Sequence, residues 1–512
     1  MKSIFKAVAL ITFFTVITRL LGFFFRVFLS REIGAEALGI YQVSLSVFTV
    51  LITLVASGLP LVISKISARL QSSGDAKKES SMVTTALIIS LITSIIACLI
   101  VLIFNKVLGA IFTDERCIIL LILLLPGVIC SAVYSTFRGA LWGHSNYFGL
   151  CISELFEQVV RIVICVIMLG GAITLMDGAM TAATSLTIAC FCSCIFVVIL
   201  YFAYGGRLAR PKGFAKELIK TSTPITSVRL ASSLIQPLIA IIIPLRLVAA
   251  GMSGPEAMAL YGIAIGMTLP FLFIPSALIG SLGIALVPDL SAAVTQQDTN
   301  HVKNRATSSI IITLFISCFF VPLYMGAGEN IGLFFYDNIA SGRLLVYSAW
   351  LMIPIGLTNI TSSILNALGC EMKSMKNYIF GSILMLIAMW VLPQFIGVSA
   401  AIVAMGLCLT LSSFLNLRMI NKVSGSKIII RNQLIKILLI SIPVASLVSF
   451  LTNLLNHFVP LFFNLAISCS LGAFFFLALC HMFNIMDIKI WILNILKKKK
   501  PSRRLSKQKL RV

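Results

Sequence analysis

Charge is scarce in this 512-residue chain: 11% of its residues are Asp, Glu, Lys or Arg, against about a quarter in an ordinary soluble domain. With 59% apolar residues and a mean hydropathy of +1.05, that shortage excludes the soluble enzyme classes and places the chain in a membrane. Acidic residues are scarcer still, 17 against 40 Lys and Arg, for a formal charge of +23. No CxxC pair occurs, and the four His (His144, His301, His457, His481) are scattered, so no catalytic or metal set is expected, nor any cofactor. The absence of a GxxxxGK[ST] loop excludes a nucleotide engine within this chain. Among thirteen Cys only Cys190, Cys192 and Cys194 lie close together; without His or carboxylate neighbours they read as packing thiols.

What the sequence does have is long apolar runs. A spanning helix needs about 20 apolar residues. Runs of that kind lie at 4–30, 40–64, 82–105, 117–141, 155–175, 181–204, 222–247, 258–287, 307–327, 343–368, 377–395, 398–418, 433–455 and 459–484. The expected fold is therefore an all-α polytopic membrane protein with 14 transmembrane helices. An even count puts both termini on one side. Assigning that side to the cytoplasm places 31 of the 40 Lys and Arg there, among them Lys65, Arg69, Arg207, Arg210, Lys212 and the tail from Lys489, as the positive-inside rule requires. The tail itself, Lys497 to Lys500 with Arg503 and Arg504, reads as a juxtamembrane stop attracted to anionic lipid rather than as a nucleic-acid binder.

The chain repeats itself at an offset of 220 residues: Gly34-Ala35-Glu36-Ala37-Leu38-Gly39-Ile40-Tyr41 matches Gly254-Pro255-Glu256-Ala257-Met258-Ala259-Leu260-Tyr261. Thr18-Arg19-Leu20 has a counterpart in Val228-Arg229-Leu230, and Asn146-Tyr147-Phe148-Gly149 in Asn377-Tyr378-Ile379-Phe380-Gly381. Six spans separate each pair, so both copies keep one orientation, a parallel repeat about the membrane normal. The expected layout is two pseudo-symmetric six-helix lobes, residues 1–204 and 222–420, joined by a cytoplasmic loop at 205–221. A two-helix appendage at 421–484 and the basic tail at 485–512 follow. Two-lobed membrane proteins bind cargo at the lobe interface and rock between inward-open and outward-open states.

Arg19 and Arg26 lie inside the first span, where each costs about 2.5–3.5 kcal/mol at the bilayer midplane. Seven residues apart, they share a helical face, and Arg229 can meet them from the second lobe. Guanidinium forks in a shielded cavity suit phosphate or pyrophosphate, so the implied cargo is anionic; snorkelling, or pairing with Glu36 or Glu256, is the alternative. Glu154, Glu157 and Arg161 fall on one face of the fifth span. There Glu157 and Arg161 either satisfy one another or act as gate and coupling groups. Glu36 and Glu256 are candidates for opposed gates at the cavity mouth, and Na⁺ or H⁺ is a candidate coupling ion. An inside-negative potential contributes about 2.3 kcal/mol per charge per 100 mV, which favours outward movement of an anion and return of an empty cationic cavity.

The elements Thr18-Arg19-Leu20-Leu21-Gly22-Phe23, Gly34 to Tyr41, Phe137-Arg138-Gly139-Ala140 and Ser153-Glu154-Leu155-Phe156-Glu157-Gln158-Val159-Val160-Arg161 together resemble the stage V sporulation protein B family. That family belongs to the multidrug/oligosaccharidyl-lipid/polysaccharide exporter superfamily and is similar to the lipid II flippases. The resemblance implies a flippase carrying an undecaprenyl-pyrophosphate-linked glycan outward for spore cortex synthesis, with cell-wall synthases as possible partners. It gives Arg19 the role of a cavity arginine; Arg26 stands one residue beyond the second such position, and Glu36 where those flippases often carry Asp. Their arginines near the end of the second helix have no equivalent here beyond Lys65 and Arg69. A multidrug antiporter of the same superfamily would have twelve helices and no arginine cluster. A non-transporting scaffold for envelope assembly would need no charge in the first span.

Overall fold

The computed structural model describes residues 2–171, 174–424 and 431–483, and every regular element among them is helical. The basic tail, with the anionic lipid expected at it, lies outside the described residues. The helices of the first half are α1 (Lys2–Ala56), α2 (Leu59–Ser72), α3 (Ala76–Ile103), α4 (Asn105–Ile111), α5 (Arg116–Gly143), α6 (Tyr147–Leu169) and α7 (Leu175–Ala203). After a loop come α8 (Ala215–Ser233), α9 (Ile235–Ala249), α10 (Gly254–Tyr261), a π-helical turn (Gly262–Thr268) and α11 (Leu269–Thr295). Then follow α12 (Thr299–Tyr336), α13 (Ile339–Ser348), α14 (Met352–Ala367), α15 (Glu371–Val391), α16 (Pro393–Ile396), α17 (Ser399–Ser424), α18 (Arg431–Leu455) and α19 (Leu461–Met482).

Twelve helical segments among the described residues are long and apolar enough to cross a membrane, and the chain is a multi-pass membrane protein. One of the twelve, Leu10–Ser72, is 63 residues long. Straight, it would reach about 95 Å, three times a hydrocarbon core of about 30 Å. It turns at Gly34, whose φ of 74° and ψ of 177° only glycine adopts without cost. Arg26 and Tyr41 lie eight residues before and seven after that glycine, yet sit within electrostatic reach of each other and of Arg161. A straight helix would separate them by about 22 Å, so α1 folds back on itself as a hairpin.

Local sequence explains the other breaks. Asn146 caps α6 by accepting from the Gly149 amide at 3.0 Å, and Ser253 and Glu256 close a capping box on α10. Pro237 cannot donate to the Ser233 carbonyl, and α8 gives way to α9 at Leu234. Pro270 likewise offers no N–H to Gly266, and the preceding turn widens to π geometry.

The first-half helices pack chiefly on one another, α5 against α7 and α1 and α6 against α7, while α11, α12, α14, α15 and α17 form a second group carrying α18 and α19 on α12. The groups meet where α1 lies along α8, α9, α10 and the π-turn. There the two copies of the repeated segment touch. A Cβ on Gly39 would stand 2.1 Å from the Met258 carbonyl oxygen, and one on Gly262 2.0 Å from that of Ala35. Only hydrogen fits, so the small residues of the repeat are what allow this crossing. Overpacking of this kind costs about 1–3 kcal/mol. Gly262→Ala is therefore expected to loosen the seam, quickening amide exchange around Ala35 and Met258 about tenfold; exchange identical to the parent would refute the close packing.

Candidate functional site

Within the first half, α6 presents a polar stripe toward α1, α5 and α7. Glu154 pairs with Arg138 of α5. Three residues on, Glu157 accepts a hydrogen bond from Ser193 of α7 at 3.3 Å. Arg161 does not pair with Glu157: its Nη2 donates to Gln158 Oε1 at 2.7 Å, and its guanidinium lies over the Phe25 ring of α1, 4.9 Å from the centroid. Arg161 Nε and Gln158 Nε2 are buried with no partner. Gln158 is only 9% exposed, and α1 passes it at Gly22, where a methyl group would stand 3.6 Å from Gln158 Nε2, an ordinary contact.

Arg26 completes this cluster. Half-buried, it stands near Arg161, Tyr41 and Tyr336, the last from the far end of α12. No described carboxylate lies within ion-pair distance of Arg26 or Arg161. The Tyr336 hydroxyl and the Thr18 and Ser30 hydroxyls are also buried without partners. The seam thus holds two guanidiniums and several free donors with no acceptor of their own. In a low-dielectric setting that combination attracts an anion.

Other predicted residues stand elsewhere. Arg19 is exposed. Arg229 Nη1 donates to the Ser57 carbonyl at 3.0 Å, so the structure does not bring it to Arg26. Glu36 pairs with Arg116 of its own half at 2.5 Å, and Arg116 also holds Asp114 at 2.6 Å. Burial alone would raise the Asp114 carboxyl, but Arg116 bonds it and brings it below the usual range. Glu256 is spent on the Ser253 cap. In this state neither gate candidate bridges the two halves.

Groups that sequence reasoning passed over perform the bridging. At the end nearest Gly34, Arg31 Nε donates to the Phe335 carbonyl at 2.7 Å, and its Nη2 to that of Phe334. Beneath it Phe23, Phe271 and Phe335 meet edge to face, with centroids 5.3 to 5.8 Å apart. At the opposite, basic end Arg69 pairs with Glu217 at 3.1 Å, and Gly58 sits against Ser222 and Thr226 of α8. Both ends of the seam are closed. Among the described residues no group of three or more His, Cys, Asp or Glu converges as a metal set.

The polysaccharide biosynthesis protein family model matches residues 4–294, more than half of the chain. The chain belongs to that family. It is 26% identical to stage V sporulation protein B of Bacillus subtilis (strain 168) over 383 residues, covering 72% of this chain and 73% of that relative. It is 21% identical to the lipid II flippase MurJ of the same organism over 484 residues, 86% of this chain and 87% of the flippase. Its fold matches a solved lipid II flippase MurJ in an inward closed conformation, with a TM-score of 0.71, 13% identity, and coverage of 93% of this chain and 98% of the other. A multidrug resistance MATE transporter in its inward-facing conformation matches with a TM-score of 0.66 and 16% identity, over 80% and 95%. At these identities the solved structures speak for the fold alone.

The basic end also carries a titratable latch. His144, after α5, shares a 2.5 Å hydrogen bond with Glu79 of α3, and Ser67 of α2 donates to the same oxygen. The Glu79 hydrogen bond raises the His144 imidazole above its usual range. A raised histidine contributes stability that is full below its unfolded value of about 6.5 and is lost as pH climbs through the folded value. Replacing it by Asn should cost about 1 kcal/mol at pH 6, a penalty that fades toward pH 9. Parallel pH-dependent melting curves for parent and His144→Asn would contradict the latch.

Proposed function

We propose that the chain is an alternating-access flippase that moves an anionic, undecaprenyl-pyrophosphate-linked peptidoglycan or polysaccharide precursor from the cytoplasmic to the outer leaflet. The observation that carries this reading is the pair Arg26 and Arg161 at the seam, with unspent donors around it and no carboxylate among the described residues within ion-pair distance of either. A phosphate diester chain supplies the missing acceptors in bidentate form. The names of the relatives, a sporulation protein and a lipid II flippase, support a cell-wall cargo and a role in spore cortex formation. A multidrug exporter shares the fold but has no use for two guanidiniums in its seam.

Fourteen crossings fit this reading. Leu10–Ser72 accounts for two because it doubles back at Gly34, and α6, 23 residues long, adds one that its charges keep from standing out as a span. The helices then group as two lobes of six, with α18 and α19 appended and both termini cytoplasmic. Arg161 of α6 takes the place in the cavity first expected of Arg229, and Arg19 serves as an outlying contact. Glu157, held by a single hydroxyl, is the carboxylate best placed to exchange H⁺ or Na⁺, beside a potential that already drives an anion outward. Cell-wall synthases are the natural consumers of the delivered precursor.

Transport of a fluorescent lipid-linked precursor in proteoliposomes tests the assignment. Losing one charge-assisted contact is worth about 1.5–3 kcal/mol, so Arg26→Ala and Arg161→Ala should each slow transport about 10- to 100-fold. Arg246→Ala, which only unstacks a guanidinium from Trp390, should leave it unchanged. Full activity in both Arg26→Ala and Arg161→Ala would remove the basis of the flippase reading.

A further inference from the structure

Between the two halves, at the Gly34 end, lies a cavity of about 460 Å³ whose wall includes Ser30, Arg31, Gly34, Tyr336, Asp337 and Asn338. That volume falls within the range of small-ligand sites, about 300–1,000 Å³. Two of its hydroxyls, Ser30 Oγ and Tyr336 Oη, are buried and unpartnered, on side chains only 2% and 3% exposed. A buried hydroxyl without a partner is unfavourable, so two on one wall point to a ligand that satisfies both.

The remaining wall decides which ligand. Arg31 donates Nε and Nη2 to the Phe335 and Phe334 carbonyls, and its charge is opposed on the same wall by Asp337, exposed and in no ion pair among the described residues, so the two leave the wall with no net charge. A phosphate gains little from a wall of no net charge whose guanidinium already donates to two carbonyls. A metal cation would find too few oxygens, because Arg31 occupies those two carbonyls and Asn338 Oδ1 accepts from the Ser341 amide at 2.9 Å. Two hydroxyls, one carboxylate acceptor and an amide nitrogen match a neutral polyol, whose hydroxyls both donate and accept.

We propose that this cavity is a sugar subsite, holding the first glycan residues of the carried lipid while its pyrophosphate rests on Arg26 and Arg161. Tyr336 joins the two sites, being on the cavity wall and within electrostatic reach of Arg26. The assignment rests on the flippase reading and adds to it where the glycan sits.

The test compares binding of two lipids to the full-length protein in nanodiscs: undecaprenyl pyrophosphate, and the same lipid bearing an amino-sugar disaccharide. Asp337→Asn should weaken the glycosylated lipid about five- to twentyfold and leave the bare pyrophosphate unchanged, whereas Ser30→Ala and Tyr336→Phe, whose hydroxyls also stand among the donors of the arginine seam, should weaken the glycosylated lipid more than the bare one. Arg26→Ala should weaken both. On the parent, the glycosylated lipid alone should slow amide exchange around Phe335 to Asn338, a readout that needs no variant. Equal affinity of the parent for both lipids, or equal losses on both in the three variants, would overturn the sugar subsite while leaving the flippase standing. A parent that binds neither lipid would overturn both.

Discussion

The structure depends on keeping two like charges inside a membrane without neutralising them. Arg26 and Arg161 lie near one another, and a lone guanidinium at the bilayer midplane already costs about 2.5–3.5 kcal/mol. Evolution has an inexpensive remedy, a buried carboxylate, and one is close by: Glu157 is a single helical turn from Arg161. Yet Glu157 takes its hydrogen bond from Ser193 instead, and Arg161 turns to Gln158 and the Phe25 face. A quadrupole and a neutral amide hold a cation in place without cancelling its charge. Position is fixed while affinity for an anion is retained.

Such a site requires that water and bulk lipid be admitted from one side at a time, and the two ends are closed by different physics. Near Gly34 the closure is apolar and close-fitting, with glycine against backbone carbonyls and three phenylalanine rings edge to face below Arg31. At the basic end it is polar and exposed, an Arg69 to Glu217 pair of the kind worth at most about 1 kcal/mol in water. The polar end is the easier of the two to part. That asymmetry agrees with a carrier that loads from the side bearing most of its Lys and Arg.

Much of this was legible in the chain. Apolar run lengths located the helices, and the repeat between Gly34–Tyr41 and Gly254–Tyr261 marked two segments that turn out to pack on each other. Arg26 stood out as charge inside an apolar run, with snorkelling or a carboxylate partner as the alternative, whereas Arg161 read either as the partner of Glu157 or as a gate. What the sequence left hidden depends on distance across the fold. Helical spacing put Arg161 one turn from Glu157 and suggested a pair; packing of α1 against α6 at Gly22 offered Gln158 and Phe25 first. Arg229 matched Arg19 in the repeat, but the break before Pro237 carries α8 toward Ser57. Arg31 and Tyr336 sit near helix ends, where polar residues are common, and only tertiary contact distinguishes them.

The C-terminus of α12 shows how opening the apolar end is coupled to wetting. A helix leaves its last four carbonyls without intrahelical donors. Here the Asp337 amide takes that of Leu333 at 3.0 Å, and Arg31 takes those of Phe334 and Phe335. Those last two keep their donor only while α1 and α12 stay together. A guanidinium at this terminus also opposes the helix dipole favourably. Separating the halves strands two carbonyls and a cation at once, so separation is tolerable only if water enters to replace them. Arg31 is exposed, so water already stands at the mouth of the cavity beside it, and parting the halves lets that water past Tyr336 to the guanidiniums below. Hydration then weakens the attraction between those guanidiniums and a bound anion. On the flippase reading, the step that unseals this end is therefore also the step that loosens the cargo.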